Sequence, residues 1–333
     1  MKTQVCRPFD SRLVRFCTTD VQAEIYNTYG NCGSNLNATA RELGRDVSTV
    51  SRAVRRVQEK GKNAVGVLFE DVGELVTKYA KVLIFDIETA PHSVYVWDFY
   101  NQNIGHDQVL EYGHVMSFAA RWLGTTEVIY HECRNGKDKK LTEALMKLFD
   151  EADVVVGHNG RAFDVKTMKG RALLHELLPP TPYKVVDTFL IAKNQFKLPR
   201  NSLEFIAEFL GCKPKLKHNE YPGFSLWKSC LEGDERAWEC LKEYNIGDID
   251  TLEEVYMALR KWDTTHANLG IVINDTISIC PKCASPELRS INPISTNTQL
   301  YPGFRCQNCG GICRGRFTIA DREKRRALLV HGV

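Results

Sequence analysis

At 333 residues the chain is too long for one small module and suggests two domains with a small appendage, at roughly 100–200 residues per domain. Hydrophobic residues at 43% and charged residues at 26% supply enough apolar surface to offset ordering entropy, which excludes a wholly disordered chain. Forty-four Lys and Arg against 41 Asp and Glu leave a net charge of only +3, so any basic surface must be local rather than global.

No apolar run approaches the roughly 18 residues that cross a bilayer. The opening stretch MKTQVCRPFDSRLVRF lacks the continuous apolar segment of a secretory signal. The expectation is a cytoplasmic protein with no membrane partner, in which the 12 cysteines are thiols and metal ligands rather than disulfides.

Residues 1–17 show no clear period, and residues 18–62 carry short helical patterns ending in a basic helix. Within Asn35–Lys62 a short helix ends at Leu43-Gly44, and a three-residue turn leads to a second helix with Ser48 as its cap. Val50, Ala53, Val54 and Val57 recur at helical spacing, while Thr49, Ser51, Arg52, Arg55 and Arg56 occupy the other face. Small polar residues followed by arginines suit entry into a major groove with phosphate contacts; a small helical bundle with a solvated basic face fits the same pattern. The segment resembles the helix-turn-helix of many bacterial and phage regulators, which implies a DNA-binding domain over residues 1–64 with duplex DNA as partner.

Residues 65–80 read as an amphipathic linker. Beyond it, strands are predicted at Val82–Ile87, His114–Trp122, Glu127–His131, Ala152–His158 and Lys184–Asp187. Helices are predicted at Thr142–Glu151, Asp164–Leu177, Ser202–Leu210 and Glu235–Arg260. Strands in close succession followed by strand–helix alternation predict a mixed α/β sheet with antiparallel hairpins, flanked by helices.

Three short motifs in this region carry carboxylates. In KVLIFDIETAP, Asp86 and Glu88 are two apart on a strand and therefore share a face. Side by side they repel unless a cation neutralises them, although in isolation two solvated edge charges are the commoner case. In GHNGRAFD, Asp164 opens a helix after a strand, where an acid is also favoured by the helix dipole. In LKEYNIGDID, Tyr244 and Asp248 are four apart and share a helix face; Asp250 is a competing acid two residues on, and a simple surface acid is the bland alternative for both.

The order D-x-E on a strand, N-x-x-x-F-D after a later strand, and Y-x-x-x-D on a late helix resembles the DEDD 3′–5′ exonucleases in their tyrosine-bearing branch, on the RNase H-like fold. The histidine-bearing branch needs His five positions before the last Asp, where Glu243 stands. The resemblance covers about residues 81–262 and implies a nuclease domain over 81–265. It implies Asp86, Glu88, Asp164 and Asp248 as ligands of two Mg²⁺ or Mn²⁺ ions, and Tyr244 as the residue that orients the attacking water. Four hard oxygen donors select hard cations over zinc, and two such ions clamp a scissile phosphate. A phenol, with an ordinary pKa near 10, is a poor base at neutral pH and better suited to positioning. The segments Val185–Lys215 and Phe224–Asp248 resemble bacterial and phage members of that superfamily, which implies a bacterial host cytoplasm if the protein is phage-encoded.

The resemblance implies a nucleic-acid substrate entering as a single-stranded end; DNA is the favoured expectation and RNA stays open, because no residue here reports on the sugar. Lys213, Lys215, Lys217 and His218 form a basic connector that either tracks phosphates or is simply solvated. His158, at a strand end, is assigned no role. Two other classes share some of these parts: a transposase or integrase, which needs a D…D…E triad, and a regulator with an inactive nuclease core.

Residues 266–318 turn Cys- and Gly-rich. Cys280, Cys283, Cys306 and Cys309 form two C-x-x-C pairs 22 residues apart, the spacing of a tetrahedral four-thiolate zinc ribbon with one structural Zn²⁺. Cys313 is a spare thiol nearby, and the remaining cysteines show no ligand spacing and are expected to be buried. Residues 319–333 are a basic tail which, with Arg314 and Arg316, favours nucleic acid over protein as the ribbon's partner.

Overall fold

The structure, a computed structural model, describes residues 17, 19–32, 34–57, 80–212, 220–273 and 277–330. The opening block before residue 17, the end of the basic helix at 58–62, the linker 65–79 and the basic connector of Lys213, Lys215, Lys217 and His218 lie outside the described residues. The chain divides into two compact units, Met1–Val76 and Thr77–Val333. Among the described residues no helix is long and apolar enough to cross a membrane.

The first unit contains α1 (Asp20–Asn31), α2 (Leu36–Glu42) and a helix α3 described over 47–57. Ile25, Tyr26 and Tyr29 of α1 bury against Ala40 of α2 and against Val50, Val54 and Val57, so the apolar stripe foreseen for the basic helix faces a core. The cap of α3 is Asp46, not Ser48. Asp46 Oδ1 accepts from Thr49 N at 3.0 Å, and the hydroxyls of Ser48 and Thr49 also donate to this carboxylate. A carboxylate can accept all three donors at once, so the helix begins one residue before Ser48 and takes Ser48 into its first turn.

In the second unit a five-stranded sheet has the order β5-β4-β1-β6-β7, with β1 Val82–Thr89, β4 Val115–Trp122, β5 Ile129–Glu132, β6 Val154–Gly157 and β7 Lys184–Asp187. β1 runs antiparallel to β4 and parallel to β6, and β4–β5 and β6–β7 are antiparallel and parallel pairs. This is the mixed sheet expected from the sequence. A separate two-stranded ribbon, β2 (Ser93–Val94) with β3 (Val109–Glu111), interrupts the path from β1 to β4.

Alternation along β1 divides its side chains between two cores. Leu83, Phe85 and Ile87 pack with Leu141, Leu145 and Phe149 of α4 (Lys139–Glu151) and with Val165 and Met168 of α5 (Asp164–Leu174). Val82 and Ile84 face the opposite core, with α6 (Thr188–Gln195), α7 (Leu203–Leu210) and Ile249, Leu252 and Val255 of α9 (Glu235–Leu259). A third cluster joins α8 (Ser225–Leu231) to the first half of α9 through Leu226, Cys230, Ala237, Trp238 and Leu241. The even-numbered side of β1 therefore looks at α9, and Asp86 and Glu88 are on that side.

A three-stranded antiparallel sheet follows, in the order β10-β9-β8, with β8 Leu288–Ser295, β9 Leu300–Cys306 and β10 Ile312–Arg314. The expected basic tail contains a short helix, α10 (Arg322–Ala327), because Asp321 caps it by accepting from Lys324 N at 2.6 Å.

Candidate active site

β1 presents Asp86 and Glu88 towards α9, and register sets Asp86 opposite Ala119 and Glu88 opposite Ser117 on β4. One carboxylate oxygen each from Asp86, Glu88 and Asp248 lies within 4.8 Å of the others, and Asp248 is buried. Three acids at this spacing, all with hard oxygen donors, fit a hard divalent cation. Asp250 is elsewhere. It pairs with Arg121 Nη1 at 2.6 Å, while Arg121 Nη2 and Nε hold Glu253 Oε2 at 2.6 and 2.9 Å. Residues two apart on a helix point about 200° away from each other, so both acids cannot serve one site.

Asp164 stands beside this group rather than inside it. It starts α5, which packs on the other face of the sheet, and its Oδ1 accepts from Ile87 N at 3.4 Å. Burial pushes its carboxyl up to about 6, and the backbone donors, including Ile87 N, offset only part of that.

The turn leading into Asp164 is organised by Asp187, a residue without a foreseen role. Buried at the end of β7, Asp187 accepts from Asn159 N at 2.9 Å and Arg161 N at 3.0 Å, and caps α6 through Phe189 N and Leu190 N. Asn159 takes a left-handed φ of 60° in this turn. Gly157 and Gly160 approach so closely that a Cβ on Gly160 would lie 3.1 Å from Gly157 Cα. His158 Nε2 donates to the carbonyl of Asn201 at 2.9 Å and its Nδ1 lies 2.9 Å from Thr188 Oγ1, so its ring ties chain segments together.

Tyr244 is one turn before Asp248 on α9, half-buried, with its ring edge-on to Trp227. Between Tyr244 and Asp248, Asn245 is fully buried and donates from Nδ2 to Asp86 Oδ2 at 2.8 Å, while Ser117 Oγ donates to Asn245 Oδ1 at 3.0 Å. This relay fixes one oxygen of Asp86 from α9 and β4 at once. Sequence reasoning missed Asn245, although an amide four residues from both Leu241 and Ile249 sits on an apolar stripe and needs a polar partner. Trp227, whose Nε1 donates to Glu88 Oε2 at 3.0 Å, carries no comparable sequence signal.

The four cysteines of the two C-x-x-C pairs converge as expected, with Cys280 Sγ 3.7 Å from Cys309 Sγ and Cys283 Sγ 3.5 Å from Cys306 Sγ. Four thiolates around zinc at about 2.3 Å would be roughly 3.8 Å apart, so the donor set fits that ion. The two loops repeat each other. Ala284 N donates to Cys280 O at 2.8 Å and Gly310 N to Cys306 O at 3.0 Å, and Ala284 and Gly310 both have left-handed φ, 61° and 76°. Cys313 lies on β10 outside the group. Of the other described cysteines, Cys133 and Cys230 are buried, but Cys17, Cys32, Cys212 and Cys240 are only half-buried. The expectation of burial therefore fails for those four.

In the first unit Arg52, Arg55 and Arg56 are exposed on α3, whereas Thr49 and Ser51 are half-buried and the Thr49 hydroxyl donates to Asp46.

Residues 83–260 match the RNase_H_2 model of the RNase_H superfamily, more than half of the chain, and the protein belongs to that superfamily. Comparison with the curated proteins gives no match. Among solved structures the chain is similar to the family B DNA polymerase from the hyperthermophilic archaeon Pyrobaculum calidifontis, at 15% identity and a TM-score of 0.41, over 67% of this chain and 32% of that one. The chain thus spans about a third of that polymerase. Superfamily membership and the acid cluster together support a metal-dependent nuclease acting on nucleic acid.

Proposed function

We propose that the protein is a divalent-metal-dependent 3′–5′ exonuclease of the tyrosine-bearing DEDD type, acting on a single-stranded end of nucleic acid, with DNA favoured. The observation that carries this reading is the convergence of Asp86, Glu88 and Asp248, from a strand and a helix about 160 positions apart, within 4.8 Å. Asp86, Glu88, Asp164 and Asp248 would hold two Mg²⁺ or Mn²⁺ ions, which lower the pKa of a bound water and neutralise charge on the leaving 3′ oxygen. The chain's own part is to hold these oxygens in place. Asn245 orients Asp86, and backbone donation from Ile87 directs Asp164. Tyr244, one turn from Asp248, orients the water by hydrogen bonding. Cys280, Cys283, Cys306 and Cys309 would hold one structural Zn²⁺ in a ribbon. The N-terminal unit would bind duplex DNA as a helix-turn-helix through α3, with Arg52, Arg55 and Arg56 on phosphates and Thr49 and Ser51 at the helix start.

End-labelled single strands with Mg²⁺ or Mn²⁺ test the activity. Stepwise shortening from the 3′ end is expected, with loss of activity in Asp86→Asn. No shortening, or equal shortening by the variant, overturns the reading.

A further inference from the structure

Trp227 lies on α8, outside the strand and helix that carry the clustered acids, and contacts two of the proposed active-site side chains at once. Its indole Nε1–H donates to Glu88 Oε2 at 3.0 Å. Its ring meets that of Tyr244 edge to face, with centroids 6.1 Å apart and planes at 84°. The ring does not swing freely, because α8 is anchored on either side of it. Leu226 is fully buried and Cys230 is 2% exposed, both packed with Trp238 and Leu241 of α9, with Met116 of β4 and with Ala90 just after β1.

The chemistry of the contact is specific. Glu88 has the longest side chain of the clustered acids and the most rotamer freedom to lose when fixed. An arginine or lysine holding it would also neutralise the charge that a cation needs. An indole N–H is a single, uncharged, directional donor, so it fixes one oxygen without cancelling the negative charge of the carboxylate. The edge-on contact restrains the Tyr244 ring by packing and makes no demand on its hydroxyl.

We propose that Trp227 is a positioning residue that holds Glu88 in the rotamer presenting its carboxylate to the Asp86–Asp248 group and sets the plane of Tyr244, so that one side chain places both. The roles of Glu88 and Tyr244 rest on the nuclease reading; the two contacts do not.

Trp227→Phe keeps a ring against Tyr244 and removes the N–H. The half-saturating Mn²⁺ concentration, measured both in the strand-shortening assay and by calorimetric titration without substrate, is expected to rise about 10- to 100-fold, the usual effect of losing a partner of a metal ligand. The KM for the strand should stay within about twofold, because only the metal–ligand geometry changes. A merely structural role would lower the amount of folded protein and leave metal affinity unchanged. Unchanged metal affinity overturns the inference.

A second measurement needs no change at Trp227. The chain has five tryptophans and so five indole N–H cross-peaks in ¹⁵N-labelled protein. One is expected to shift when Mg²⁺ is added and when Glu88 is replaced by Ala; if none of the five moves in the Glu88→Ala variant, the inference fails. Absence of hydrolysis by the wild-type protein would reject the nuclease reading and leave the cross-peaks to decide whether Trp227 holds Glu88. Normal hydrolysis with unaltered metal dependence in Trp227→Phe would reject the inference alone.

Discussion

Asp248 and Asp250 stand two residues apart on one helix, and the structure gives them opposite fates. Replacing each in turn by Asn separates the metal-site reading from a general need for acid on α9. Asp250→Asn removes one charge-assisted bond to Arg121, whose side chain is 11% exposed. Arg121 keeps both of its bonds to Glu253. The Asp250 side chain is 41% exposed, so solvent screens the lost attraction and the cost is about 1 kcal/mol or less. In a unit of this size that corresponds to a fall in Tm of roughly 2–4 °C, with activity within about threefold of wild type. Asp248→Asn keeps the shape of the side chain but removes an anionic donor from the cluster. The loss of several kcal/mol of charge stabilisation should cost on the order of a thousandfold in kcat. Without added Mg²⁺ or Mn²⁺ this variant should be at least as stable as wild type, since one of three crowded carboxylates has been neutralised. Thermal melts and strand-shortening kinetics on both variants are the assay. Equal losses of activity in the two, or an Asp248→Asn protein that stays within tenfold of wild type, would refute the assignment of the site.

Two further outcomes follow from buried groups. The Asp164 carboxyl is raised by burial from 3.8 to about 6, so its folded-state pKa exceeds the unfolded one. Its contribution is fully favourable below the unfolded value and is lost as pH rises through about 6, a cost on the order of 3 kcal/mol at neutral pH. Without added Mg²⁺ or Mn²⁺, Asp164→Asn should therefore melt higher than wild type at pH 7.5, with the advantage vanishing near pH 4; equal melting at pH 7.5 would contradict this. The thiol of Cys283 is pushed up to about 12 by its hydrogen bond with Cys280 and by burial, and burial also raises Cys309. Zinc binding must displace these protons, so metal content should be one Zn²⁺ per chain at pH 8, fall in mildly acidic buffer, and drop in Cys283→Ser. Zinc-free protein from zinc-supplemented medium, or full retention of the metal by the variant, would refute it.

Most of the central sheet was legible because each strand carries its own apolar run between turn signals. β7 falls on the predicted residues, Lys184–Asp187, and β1 and β4 differ from the prediction only at their ends. Within each element the acids were legible for the same local reason, since alternation puts Asp86 with Glu88 and helical spacing puts Tyr244 with Asp248; that the strand and helix acids meet was implied only by the resemblance of their order to the DEDD pattern. The supporting partners were not. Trp227 reaches Glu88, Ser117 reaches Asn245, and Asp187 reaches the turn before Asp164, all across tertiary distances that no local period encodes. The Ser48 cap shows a local failure of the same kind. Serine and aspartate are both good caps, and only the convergence of three donors on Asp46 decides between them.

The division of β1 between two cores makes its length as consequential as its composition. Deleting one residue between Val82 and Phe85 would shift every later side chain to the opposite face. Asp86 and Glu88 would then be driven among Leu145, Phe149 and Met168, while Phe85 and Ile87 would turn towards α9. Conservative exchanges of one aliphatic residue for another in this strand are tolerable, whereas losing a single codon from it would remove both carboxylates from their partners and bury them uncompensated.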